Sequence, residues 1–352
     1  MSNRTGQVRF AALVLIMLVP YLARAAEPQW PVLDVNAVPF LKEAARADYA
    51  DFLLSNLPRV FAIASNGAHG WNTGGTIEED RAGALKTCSE HGGTDCALYA
   101  EDLQVVWHGR RPGVLPETPG PLFATSEFAL VPDSRFIWRG PRVARGVFVW
   151  GHGKSGQGID LRASQPPPYV RAFNNAGFDV IRFARAPAAD YSDPAADFLR
   201  QGLAHVRSLG WRTVVVGGQS RGAWNSLQML SSPGLVDGVI AVSPASLSGG
   251  RAAQDAELHR LLRGANSSST RVAIAQFKSD IYVADPDDRA REMQDLLRGR
   301  VNSVLMIDQP AGLTGHSAGN SGAFARQFAG CLLRFITDPV PLAQCGTTES
   351  PS

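Results

Sequence analysis

The sequence predicts an α/β protein with a mainly parallel sheet covered by helices on both faces, preceded by a small N-terminal α+β domain. Three observations carry this expectation. Apolar, β-branched runs alternate with helical segments from about residue 146 onward; one strand-to-helix junction holds a G-x-S-x-G sequence; and a Cys-containing segment rich in turn residues stands apart from both, ahead of a Pro/Gly-rich stretch. The 352 residues, 45% hydrophobic and 19% charged, are enough for a large core and a small extra domain. The formal charge of +2 is nearly balanced, and no Lys/Arg cluster of the kind that tracks phosphates occurs, so nucleic acid is not an expected partner.

Arg4 and Arg9, an apolar run over 10–19 and then Ala23-Arg24-Ala25 read as a secretory signal peptide over 1–25, cleaved after Ala25 or nearby. The run is short for a membrane span, so the mature protein is expected to be exported without stable membrane insertion, to the periplasm or beyond the cell. The four cysteines fit that compartment: three pairings are possible, and local closure favours Cys88 with Cys96 and Cys331 with Cys345. His91 lies between the first two, but the metal-ligand spacing and a clear fourth ligand are missing.

The small domain is expected over 26–109. Leu41, Ala45, Tyr49 and Phe52 form a helical stripe over 39–56, followed by a strand over 60–64. SNGAHGWNTGG reads as a Gly/Asn-rich turn. Thr76 and Glu79 make a capping box for a helix that ends near Cys88, and Cys96 opens a strand-like run, CALYAEDLQVVW. The FAIA strand, the Gly70-Trp71 turn, the helix ending in Cys and the second Cys leading a strand resemble a small Cys-containing domain of exported bacterial proteins. His69, His91 and His108 have no motif partners and read as surface or satisfied residues.

RRPGVLPETPG, 110–120, reads as the linker, and the main domain is expected over 121–340 with a tail over 341–352. Strands are expected over 123–131, 135–138, 146–150, 179–183, 214–216, 236–243, 271–277 and 301–307. Helices are expected over 169–176, from Asp193-Pro194 onward, after the G-x-S-x-G, over 256–262 and 288–297, and through Phe324, Phe328, Leu332 and Phe335, the last carrying Cys331.

The G-x-S-x-G is Gly218-Gln219-Ser220-Arg221-Gly222, between Val214-Val215-Val216 and a helical segment. A buried strand turning straight into a helix puts its central residue in a strained, exposed bend, and glycines two positions to either side let the chain double back. The first N–H groups of the new helix then stand beside the serine oxygen, an arrangement suited to acyl transfer. In an open parallel sheet, functional groups gather at the carboxyl ends of the strands. The strand over 271–277 ends in Lys278-Ser279-Asp280, and the last strand runs into QPAGLTGHSAG with His316. Ser220, Asp280 and His316 are therefore candidates for nucleophile, acid and base, with Asp285, Asp287 and Asp288 open as alternative acids.

GQSRG, SDIYV, GHSAG and the WGHGKSG loop after residue 149 together resemble the α/β-hydrolase superfamily, especially dienelactone hydrolases and small esterases, over about 123–337. The resemblance implies the α/β-hydrolase fold and a serine hydrolase acting on a small-molecule ester or acyl substrate, with no cofactor or metal. His316 would take the proton of Ser220 and return it to the leaving group, and Asp280 would hold the imidazole. Oxyanion donors would be the backbone N–H of Arg221 and one from the His152-Gly153-Lys154 loop, assigned to Lys154. The loop has a single HG pair, and no long insertion separates elbow from acid, which disfavours a lid-gated lipase. A peptidase or amidase of the same fold, and a binding protein that has lost turnover, are the competing expectations.

Overall fold

Two sheets organise the residues that the computed structural model describes, 30–109, 115–155, 159–190, 193–246, 250–283 and 285–345. The expected signal peptide, linker residues 110–114 and tail residues 346–352 lie outside the described residues. No helix among the described residues is long and apolar enough to cross a membrane.

The first unit contains α1 (Arg46–Leu54), β1 (Arg59–Ile63), β2 (His69–Thr73), α2 (Ile77–Glu90), β3 (Ala97–Glu101) and β4 (Gln104–Val105). Its four-stranded sheet is antiparallel, in the order β2-β1-β3-β4. Alternation along β1 sorts the core: Val60 and Ala62 pack with Ala84 and Cys88 of α2, whereas Phe61 and Ile63 pack with Tyr49 and Phe52 of α1. Both halves of the Thr76/Glu79 capping box are made, and the Cys88–Cys96 disulfide ties the end of α2 to the start of β3.

Four local expectations are corrected. The helix over 39–56 begins only at Arg46, after a separate single turn over Glu43–Ala45: Phe40 sits at φ 59° and Lys42 is extended, with ψ 154°, so neither continues a helix. Within the expected turn, His69–Thr73 is a strand, since Gly70 lets β2 lie against α2, where a Cβ would come 2.5 Å from the amide nitrogen of Cys88. The run after Cys96 folds into two strands, bent at Asp102 with φ 52°. Residues 135–138 are not a strand: Asp133 accepts the Arg135 N–H at 3.0 Å in a local turn, which diverts the chain.

The second unit contains β5 (Phe123–Ala124), β6 (Phe128–Pro132), β7 (Gly146–Gly151), α3 (Pro168–Asn175), β8 (Phe178–Arg185), α4 (Pro194–Ser208), β9 (Val214–Gln219), α5 (Arg221–Gln228), β10 (Gly238–Val242), α6 (Arg251–Arg263), β11 (Ser267–Gln276), α7 (Pro286–Leu297), β12 (Val301–Asp308) and α8 (Gly322–Thr337). Its eight-stranded sheet has the order β12-β11-β10-β9-β7-β8-β6-β5. The six strands from β12 to β8 are parallel, and β6 and β5 continue the sheet antiparallel.

Period-two alternation buries both faces. Val147, Val149, Val214, Val216, Val239 and Val272 point to the side covered by α4 to α7, and Phe148, Trp150, Val215, Ile240 and Ala273 to the side covered by α3 and α8. Full burial of each large apolar side chain contributes roughly 1.5–3 kcal/mol. The Cys331–Cys345 disulfide holds the segment after α8 against that helix. Between the units, the Leu57 N–H donates to Gln165 Oε1 and Gln165 Nε2 donates to the Leu57 carbonyl, both at 2.9 Å.

Strand order also locates the crevice. The chain leaves β7 for β8 on one side and returns to β9 on the other, so the carboxyl ends of β7 and β9 flank the topological switch point, where open α/β sheets hold their ligands.

Candidate active site

Ser220 stands between the end of β9 and the start of α5 with φ 55° and ψ −115°, backbone space that a non-glycine residue adopts only under constraint. The surroundings supply that constraint. Its N–H donates to Val242 O at 2.9 Å, and its carbonyl accepts from Trp224 N at 3.0 Å. A Cβ on Gly218 or Gly222 would overlap the carbonyl oxygen of Gly151, so the elbow can rest on the end of β7 only because both positions are glycine.

Three neighbouring strand ends share this bend. Ser243 and Gln309, directly after β10 and β12, and Ser279, shortly after β11, have φ of 47°, 45° and 61°. Ser243 is fully buried and its hydroxyl has no hydrogen-bond partner among the described residues; the sequence carried no signal for it.

Asp280 and His316 come together from the loops after β11 and β12. His316 Nδ1 lies 2.8 Å from Asp280 Oδ2 and 3.0 Å from Oδ1, with the carboxylate almost completely buried. The loops are joined to each other: Lys278 bridges Thr314 in parallel register, and Gly315 N–H donates to Lys278 O at 2.8 Å. The Tyr282 N–H donates to Asp280 Oδ1 at 2.9 Å, and the Tyr282 ring stands edge-on to the imidazole, centroids 4.4 Å apart. With Nδ1 facing the carboxylate, Nε2 is the nitrogen left for chemistry; it is buried and has no hydrogen-bond partner among the described residues. The structure does not bring Ser220 Oγ into a hydrogen bond with it. Such bonds are often long without substrate and tighten in the Michaelis complex.

The other acidic candidates are engaged elsewhere. Asp285 caps α7 by accepting from Asp287 N and Asp288 N, Asp287 accepts from Gln309 Nε2 at 2.7 Å, and Asp288 pairs with Arg291.

On the other side of the elbow, a Cβ on Gly153 would stand 3.6 Å from Ser220 Cβ, so the loop carrying Lys154 borders the serine. His152 is buried; burial, reinforced by the nearby Arg185 charge, pulls its pKa down to about 3, so the ring stays neutral at physiological pH. Its Nε2 accepts the Arg185 N–H at 3.1 Å, which leaves Nδ1 to donate to Gly153 O at 2.6 Å. The Arg221 N–H, at the first position of α5, is one of the helix's intrinsically unpaired donors, and its side-chain Nε donates to Asp190 O at 3.0 Å.

Gln219, Tyr282, Arg185 and Asp190 are contacts the sequence reading missed. Gln219 and Tyr282 lie within GQSRG and SDIYV, beside Ser220 and Asp280. A charged residue ending an apolar strand, as Arg185 ends β8, was the one available signal for the last pair.

The fold is of the α/β-hydrolase type, with a strand–elbow–helix at the centre of a mainly parallel sheet covered on both faces. The chain is similar in path to an esterase of Pyrococcus furiosus, at 12% identity and TM-score 0.42, covering 58% of this chain and 83% of that one. It is similar also to a truncated carbohydrate esterase from gut microbiota, at 12% identity and TM-score 0.46, covering 62% and 95%. A third such structure is Est1E from Butyrivibrio proteoclasticus, at 10% identity and TM-score 0.44, covering 60% and 96%. No protein-family model and no curated protein matches the sequence.

Proposed function

We propose that the protein is an exported serine hydrolase that cleaves a carboxylic ester through an acyl-enzyme at Ser220. The observation that carries this reading is the buried Asp280–His316 pair, with its unpartnered Nε2 on the same sheet edge as the strained Ser220. His316 Nε2 takes the hydroxyl proton as Ser220 Oγ attacks the ester carbonyl, and Asp280 stabilises the imidazolium. The tetrahedral oxyanion accepts from the N–H groups of Arg221 and Lys154. Collapse expels the alcohol, which receives the proton from His316; water then enters by the same steps in reverse order and releases the acid. The leader-like residues 1–25 and the two disulfides support export.

Labelling with a fluorophosphonate, read by intact mass, tests the mechanism. One adduct on the parent and none on Ser220→Ala is expected; no adduct on either would overturn the hydrolase reading in favour of a binding protein. An ester and amide screen on the unlabelled parent, with Ser220→Ala as the control, decides which acyl bond is cut.

A further inference from the structure

We infer that the buried Arg185–Asp190 ion pair is a positioning device that sets the orientation of the oxyanion loop, residues 152–155. The inference rests on the serine-hydrolase reading and concerns residues outside the triad.

The pair is fully buried. Arg185, the last residue of β8, places Nε 2.6 Å from Asp190 Oδ1, and both side chains are 0% exposed. A buried pair costs desolvation of both ions, and hydrophobic residues of similar size often serve stability as well. The other contacts of the two side chains point to a task that apolar residues cannot perform, although Arg185 Nη1 is buried without a hydrogen-bond partner among the described residues. Arg185 Nη2 donates to the carbonyl oxygens of His152 and, at 3.1 Å, of Gly153. The Arg185 main-chain N–H reaches His152 Nε2. Asp190 Oδ2 accepts the N–H of Ser155 at 2.7 Å, and the Asp190 carbonyl accepts from the side chain of Arg221, the residue after Ser220.

Peptide geometry turns these contacts into a statement about N–H direction. In a trans peptide the C=O of one residue and the N–H of the next point to opposite sides. With the carbonyls of His152 and Gly153 drawn to Arg185, the N–H groups of Gly153 and Lys154 face away from it. Gly153 borders Ser220. The Ser155 N–H is committed to Asp190 and is withdrawn from oxyanion duty. The same pair thus orients one donor-bearing peptide and, through Arg221, contacts the residue that carries the other. The neutral His152 ring between Arg185 and Gly153 completes the clamp.

The test uses the full-length mature enzyme. Three forms are compared: parent, Arg185→Lys, and the double variant R185L/D190L, which removes both charges together so that no lone buried ion is left. Measurements are kcat and KM on a small ester, inhibition by a boronic acid that forms a tetrahedral adduct on serine, the pH profile of kcat/KM, and thermal unfolding. A displaced oxyanion donor predicts kcat lower by about 100-fold with KM within about twofold. Boronate affinity should fall in step with kcat/KM, and the pH profile should keep its midpoint because the base is untouched. A folded double variant with parental kcat and boronate affinity would overturn the inference. So would loss of folding in both variants, which would make the pair structural. If the parent hydrolyses no ester and takes no phosphonate at Ser220, it is the underlying hydrolase reading that fails.

Discussion

The side-chain amide of Gln219 donates from Nε2 to the main-chain carbonyl of His316 at 3.2 Å, so the residue beside the proposed nucleophile holds the backbone of the proposed base. Positions 219 and 316 thus meet only through the folding of β9 beside β10 and of the loops beyond β11 and β12. Replacing Gln219 with Leu removes that tie while keeping the volume roughly constant. The expected result is a kcat about tenfold lower with little change in KM, and a stability loss of about 1 kcal/mol, the net worth of one neutral hydrogen bond. Steady-state kinetics and denaturant unfolding measure the two; unchanged kcat would show that the tie does not position the base.

Two glycine substitutions should have opposite signs. Gly222→Ala drives a Cβ into the main chain of β7, where neither partner is a flexible side chain, and is expected to cost about 3 kcal/mol and the labelling of Ser220. Gly330→Ala, within α8, meets no atom within 4 Å and should gain about 0.5–1 kcal/mol from helix propensity and a less flexible unfolded chain. Thermal melts of both variants against the parent decide each sign.

The disulfides span separations of 8 and 14 residues. Unfolded protein without reductant should take up no thiol label, and with reductant all of Cys88, Cys96, Cys331 and Cys345 should label. Removing either bridge is expected to cost about 2–4 kcal/mol, measured as a shift in the denaturant midpoint.

Asp179 introduces a pH dependence of stability. Burial raises its carboxyl to about 6, although it accepts from Arg139 N and Trp211 Nε1. Unfolded, an aspartate titrates near about 4. Between those values the folded chain holds a proton that the unfolded chain has lost, so this group's contribution to stability falls as pH rises, by about 1.4 kcal/mol per unit, and levels off above pH of about 6. The unfolding free energy of the parent minus that of Asp179→Asn, followed from pH 4 to 7, should fall with that slope; a parent that gains on the variant as pH rises would contradict it.

Local spacing made much of the architecture readable from the residues alone. Continuous apolar runs identify β7, β9 and β11, a capping pair three residues apart starts α2, and glycines on either side of Ser220 mark an elbow, because each depends on neighbours along the chain. Where a strand is short or carries glycine, as in β2, tertiary pairing decided its state. Tertiary structure decided the remainder of the site as well. Which aspartate faces His316, how the 152–155 loop comes to border Ser220, and what Arg185 and Asp190 hold all depend on contacts between groups far apart in sequence. Those contacts exist only once strand order has brought the carboxyl ends of β7, β9, β11 and β12 to one edge.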